Sequence, residues 1–241
     1  MNNSSFMYDV TNAEEVSFQH HLRSVFFKMA IAMLITAATS YSVYLFAASG
    51  HPLSSTIFSP ISMLLVAVVE LGLTITISAA LMKIKPATLS LLFFIYSFVS
   101  GITFSTIFIT YDFGVITTAF LFTAVLFICC AVIGLTTNID LSKLGGILFA
   151  GLLCLIIVSI ASFFIPVLRQ SLFLSYAGVI IFLLYTAYDV QRIRVMYEAC
   201  RNNSDYLNRF STYGAFQLYL DFINLFLYII RIVSSSRSSR D

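Results

Sequence analysis

Asp221 stands near the middle of the last apolar run of this 241-residue chain, within a set of polar residues at regular spacing. Tyr213, Gln217, Asp221, Asn224, Tyr228 and Arg231 follow one another at intervals of 4, 4, 3, 4 and 3 residues. At about 100° per residue, a helix gathers all six into a sector roughly 80° wide. A polar stripe on an otherwise apolar helix must face a bundle interior or a hydrated path, because lipid offers it no partners. Amides and phenols in such a stripe can act simply as interhelical glue. An ionisable group at its centre is more than glue requires, and it can hold a proton or ligate a cation.

Two further carboxylates lie within apolar runs. Each charged group at mid-bilayer costs roughly 2.5 to 3.5 kcal/mol on insertion scales, so each needs a reason. Glu70 sits nine residues into the second run and repeats with Thr74 and Ser78 every fourth residue, as Ser97, Gly101 and Ser105 do on the third. Hydroxyl and small residues at this spacing are also ordinary close-packing faces. Asp189 shares a face with Tyr185 and Arg192 at the end of the sixth run. It fits a helix end at the water interface as well as it fits an internal site. His20 and His21 read as solvated residues before the first span, and His51 as a lone loop histidine. Cys129, Cys130 and Cys154 in apolar runs and Cys200 in a polar loop lack C-x-x-C spacing, so free, mostly buried thiols are expected.

The elements that must position these residues follow from composition. The chain is 59% apolar and 10% charged, with a mean hydropathy of +0.95. A soluble domain is about half apolar and a quarter charged, so a cytosolic enzyme is excluded. Apolar runs of 18 or more residues each span about 30 Å of hydrocarbon as a helix. Their boundaries are Val25–Ala48, Ile61–Met82, Ala87–Thr110, Val115–Thr136, Leu144–Ile165, Leu172 to about Tyr188, and Phe210–Val233. Lys83, Lys85 and Pro86 stop the second, Pro166 and Arg169 the fifth, and a charged loop, Gln191 to Arg209, parts the last two. Continuous apolarity over about twenty residues excludes a β-barrel, whose strands alternate.

The expected architecture is therefore an all-α membrane protein, a bundle of seven transmembrane helices. Residues 1–22 form a polar N-terminal segment without a signal peptide's apolar core, 23–233 the membrane domain and 234–241 a polar tail. An N-terminus in the cytoplasm places Arg23, Lys28, Lys83, Lys85, Lys143, Arg192, Arg194, Arg201 and Arg209 inside and leaves Arg169, Arg231, Arg237 and Arg240 outside. A re-entrant last segment would bring the tail arginines inside as well, but its length favours a full crossing. A net charge of +2 with no basic patch argues against nucleic acid. The lipid bilayer is the one partner the sequence names, and protein partners are left open.

The strings YTAYDVQR, Tyr185 to Arg192, and QLYLDFINLFLYIIR, Gln217 to Arg231, closely resemble the two signature segments of the transmembrane Bax inhibitor motif family. ELGL from Glu70, PAT from Pro86 and the Tyr96 to Phe108 segment resemble its second and third helices. The resemblance covers about residues 20 to 232 and is to a bacterial-like member of the Bax inhibitor-one type. It implies seven helices with the last at the centre of the others. It also implies a pH-sensitive calcium leak whose sensor is a pair of aspartates, here Asp189 and Asp221. Two carboxylates in a poorly solvated site cannot both ionise cheaply, so such a pair shares a proton and titrates as a unit. It can ligate Ca²⁺ weakly and in passing, with Asn224 or backbone carbonyls adding oxygens.

The family sets a basic counter-charge on the second helix, but Glu70 to Met82 holds no Arg or Lys, and Ala79 and Ala80 stand where it would fall. Lys83 or Arg192 takes that role, or the shared proton alone holds the closed state. Calcium is then a transported ion, no cofactor is needed and no enzyme is expected, since neither H-E-x-x-H nor a nucleophile with its histidine occurs. A proton-coupled calcium exchanger and a non-transporting regulator of a partner protein in stress or cell death are the alternatives. A bacterial inner membrane is the expected location, with the endoplasmic reticulum second.

Overall fold

Ser59 caps a helix by accepting the Ser62 N–H on its Oγ at 3.2 Å, and Pro60 follows where a missing N–H costs nothing. Pro86 opens another helix in the same way. The computed structural model describes residues 3–162, 165 and 171–238. Its helices are α1 (Asn3–Ala48), α2 (Leu53–Ile57), α3 (Pro60–Ala80), α4 (Pro86–Thr110), α5 (Phe113–Thr136), α6 (Gly145–Ala161), α7 (Leu172–Cys200) and α8 (Ser204–Ser238). Gly50, at φ 73°, follows the end of α1 in the left-handed conformation that glycine adopts freely. A 3₁₀ turn, Leu141–Leu144, leads into α6. The Asp140 carboxylate accepts the Ser142 N–H at 3.0 Å there, and bonds to Ser142 hold it below the usual carboxylate range.

Among the described residues, seven helices are long and apolar enough to cross a membrane, all except α2. α8 runs unbroken for 35 residues, which fits a full crossing rather than a re-entrant loop. It packs against α1, α4, α5 and α7. Of its apolar window 56% is buried, against 6% for α3 and 11% for α6, which lie on the outside against α4 and α7. Leu64, Leu65, Val68, Leu71 and Ile75 of α3 accordingly face outward, where lipid can solvate them. Phe93 and Tyr96 of α4 meet Phe216 and Tyr219 of α8 edge-on, with ring centroids 5.2 to 6.0 Å apart.

Buried hydroxyls are satisfied locally. Ser97, Thr123 and Thr186 each donate to the carbonyl four residues earlier, so they add no unpaired group to the apolar interior. Glycines set the closest helix approaches. A Cβ on Gly101 would strike Thr39 of α1 at 2.5 Å, and one on Gly134 of α5 would strike the Ala187 carbonyl of α7.

Several expectations need correction. The sixth span does not stop near Tyr188, since α7 continues to Cys200, and only residues 201–203 separate it from α8. The reason is that Val190, Ile193 and Tyr197 stay buried along the charged stretch and hold it helical. The polar N-terminal segment is helical from Asn3, and a short helix, α2, with 5 residues, interrupts the turn before α3. His21 is not solvated; it is buried, with its ring centroid 5.2 Å from that of Tyr197. His51 is not without a partner, because its ring lies 4.7 Å from Phe46 and its Nδ1 accepts the Leu53 N–H. The cysteines are free, but Cys129 and Cys154 are exposed on the outer surface of the bundle rather than buried. Pro166, Arg169 and Arg240 lie outside the described residues.

Candidate functional site

α7 and α8 run antiparallel in close contact. The contact is tight because Gly178 leaves room for the Tyr228 ring, 2.6 Å from where a Cβ would stand, and Gly214 leaves room for Ile193 at 2.8 Å. Phe182 and Tyr228 stack at 6.0 Å in the same register. Asp189 lies seven residues after Phe182, and Asp221 seven before Tyr228. Two turns on each helix therefore bring the aspartates level with one another.

Both aspartates are 4% exposed. Asp189 Oδ1 and Asp221 Oδ2 are buried without a hydrogen-bond partner, which is rare for polar atoms in an interior and marks a place where a proton or cation would be held. Asp221 feels the charge of Asp189, and Tyr185, one turn before Asp189, feels both. The cation acting on Asp189 is Arg192, exposed and three residues further along α7. Lys83 lies exposed in the turn between α3 and α4. Asp189 is thus inside a continuing helix rather than at its watery end. Among the described residues, no group of three or more His, Cys, Asp or Glu converges to hold a metal, so the pair offers two carboxylates and no cage.

The rest of the stripe divides. Asn224 donates to the Leu220 carbonyl at 2.8 Å, within its own helix. Tyr228 is buried against Phe182 and carries the Arg231 guanidinium 5.8 Å from its ring centroid. Tyr213 and Gln217 are half-buried.

Glu70 belongs to a different place. Its Oε1 accepts the Thr103 hydroxyl of α4 at 2.7 Å, and its charge reaches Tyr96 and Tyr219. Tyr219 in turn meets the Thr36 hydroxyl of α1 at 2.7 Å. Thr36, Thr103 and Tyr219 went unnoticed in the sequence, because a hydroxyl in an apolar helix gives no sign of bonding across to another helix rather than back along its own. Lys28 is also more than a boundary charge: its ammonium donates to Ser211 and Thr212 of α8 at 3.2 and 3.0 Å.

A bundle of membrane-length helices whose last two each bury a carboxylate at their mutual contact defines a polytopic membrane protein with an internal acidic site. The chain belongs to the family described as inhibitor of apoptosis-promoting Bax1, whose model matches residues 18–238. It is similar to the inner membrane protein YbhL of Escherichia coli, 34% identical over 222 residues, covering 91% of this chain and 93% of that one. A Borreliella burgdorferi protein with no functional name is 37% identical over 218 residues, covering 90% and 92%. The Rickettsia prowazekii protein RP147 is 29% identical over 231 residues, covering 94% and 96%. The chain is a multi-pass integral membrane protein.

Proposed function

We propose that the chain is a pH-sensitive calcium leak channel in which Asp189 and Asp221 share a proton. The observation that carries the reading is the pair of unpartnered carboxylate oxygens buried together where α7 meets α8. A proton held between them neutralises one charge and draws the two helices together. Its loss leaves two like charges at one contact, and the site then favours separation or a passing cation. With no lysine or arginine along α3, Arg192 is the counter-charge that biases Asp189.

Calcium crosses as cargo, met by two carboxylates and without a cage, an arrangement suited to transit rather than storage. The chain performs no chemistry in this reading and needs no cofactor. It sits in a bacterial inner membrane with its N-terminus in the cytoplasm, the side to which most of its lysines and arginines fall.

Reconstitution into liposomes loaded with a calcium dye tests the proposal. Passive Ca²⁺ flux that changes with pH, and that loses this dependence in Asp221→Asn and Asp189→Asn, is the expected result. Flux indifferent to both substitutions and to pH would sink it. Uphill Ca²⁺ movement driven by a proton gradient would replace the channel with an exchanger, and inert liposomes with one stable captured partner would replace it with a regulator.

A further inference from the structure

A cleft of about 410 Å³ opens where the first half of α1 meets the end of α7 and the start of α8, away from the aspartate pair. Ser17, His20, His21, Ser24, Asn208 and Ser211 supply its polar lining, and among the described residues no Asp or Glu lines it. Glu198, next in sequence to the lining Tyr197, is exposed and pairs with Arg194 at 3.7 Å.

The hydrogen bonds behind the lining have a direction. Lys28 Nζ donates to Ser211 Oγ at 3.2 Å and to Thr212 Oγ1 at 3.0 Å. With its lone pair engaged by the ammonium, Ser211 turns its own proton outward and donates to Ser24 Oγ at 3.0 Å. Ser24 accepts that bond, so its hydroxyl proton is left for the cleft. Thr212 is settled separately, by Ser90 and the Asn208 carbonyl. An ammonium that meets no carboxylate among the described residues thus polarises a chain of hydroxyls whose last donor stands at the cleft wall.

A second observation points to a ligand. His21 lines the cleft, is 7% exposed, and its Nε2 has no hydrogen-bond partner. Lys28 acts on it electrostatically, so the charge behind this wall is the ammonium's. A donor chain that begins at an ammonium and ends at the cleft wall fits an anion better than a cation.

We propose that this cleft binds a phosphate-type oxyanion, carried by a lipid headgroup or free in solution. Three oxygens of a phosphate group match what the lining offers: the Ser24 hydroxyl, the Asn208 amide and the His21 ring. The surrounding size is within the range of small-ligand sites.

The test uses the full chain in phosphatidylcholine nanodiscs. One arm titrates inorganic phosphate by calorimetry, and the other scores retention of dihexanoyl phosphatidic acid against dihexanoyl phosphatidylcholine by native mass spectrometry. Saturable binding of phosphate alone assigns a free anion; retention of phosphatidic acid alone assigns a headgroup. In either case Lys28→Gln, which keeps a hydrogen-bonding end but removes the charge, weakens binding about tenfold. Should that variant fail to fold, Ser24→Ala carries the same test, since it removes the terminal donor and leaves Lys28 both its partners. Saturable binding of neither probe, or binding undiminished in the folded variants, overturns the proposal.

Discussion

Phe182 and Tyr228 stack with ring centroids 6.0 Å apart, and each stands two helical turns from one of the buried aspartates. The stack fixes the axial register of α7 against α8, and with it the level at which Asp189 meets Asp221. Gly178 makes the stack possible, as no side chain there stands in the way of the Tyr228 ring.

In the proposed channel, calcium at the pair has to compete with protons, since carboxylates coordinate a hard cation only once deprotonated. Affinity for Ca²⁺ is therefore expected to rise as pH rises through the titration of the pair and to fall as a proton returns to it. In nanodiscs, calorimetric titration at a series of pH values is expected to show this trend in the wild type. Asp221→Asn is expected to weaken binding and flatten the trend, because one carboxylate has no like-charged neighbour with which to share a proton.

Gly134→Ala is expected to destabilise the bundle by about 1–3 kcal/mol, the usual cost of overpacking. The added Cβ meets the Ala187 carbonyl, a backbone atom that no rotamer change can move aside. Gly72→Ala is the control, with nothing within 4 Å of its new Cβ. Circular-dichroism melting in detergent should lower the midpoint for the first and leave the second at or above wild type, alanine being the better helix former.

Thr36 and Tyr219 should prove strongly coupled. Their hydroxyls meet at 2.7 Å in a fully packed region where α1, α4 and α8 converge, and Thr36 also donates towards the Ser97 carbonyl. Thr36→Val takes away one of the two side-chain partners of the Tyr219 hydroxyl, Ser100 being the other, and costs about 0.5–1.5 kcal/mol, the net worth of one hydrogen bond. Tyr219→Phe breaks the same contact from the other side, so the double variant is expected to lose less than the two single losses added together. Simple additivity in a double-mutant cycle would show that the contact carries no energy.

Gln191 clamps the loop between α5 and α6 to α7: its Oε1 accepts the Leu141 N–H at 2.8 Å and its Nε2 donates to the Ile139 carbonyl at 2.9 Å. Gln191→Ala is expected to cost about 1–2 kcal/mol, from two bonds of ordinary net strength at a partly wet site. Hydrogen exchange at Leu141 should speed up selectively, while amides in the middle of α5 stay protected.

The amino-acid sequence by itself determined that seven helices cross a membrane, because unbroken apolar runs of about twenty residues have one way to satisfy their backbone in lipid. It also determined the polar face of α8, since 3.6-residue periodicity fixes which side chains share a side. Its reading faltered where local polarity was outweighed by packing. The charged stretch after Asp189 looked like a loop, yet buried Val190, Ile193 and Tyr197 keep it helical, and His21 looked solvated until Tyr197 covered it. Periodicity says which face of a helix is polar but never which helix it meets. Only the tertiary structure decided that Glu70 turns to Thr103, that Lys28 reaches Ser211, and that Asp189 and Asp221 come level across α7 and α8. Those choices rest on contacts between helices far apart in the chain, set by where a glycine lets two backbones approach and where an aromatic pair locks their register.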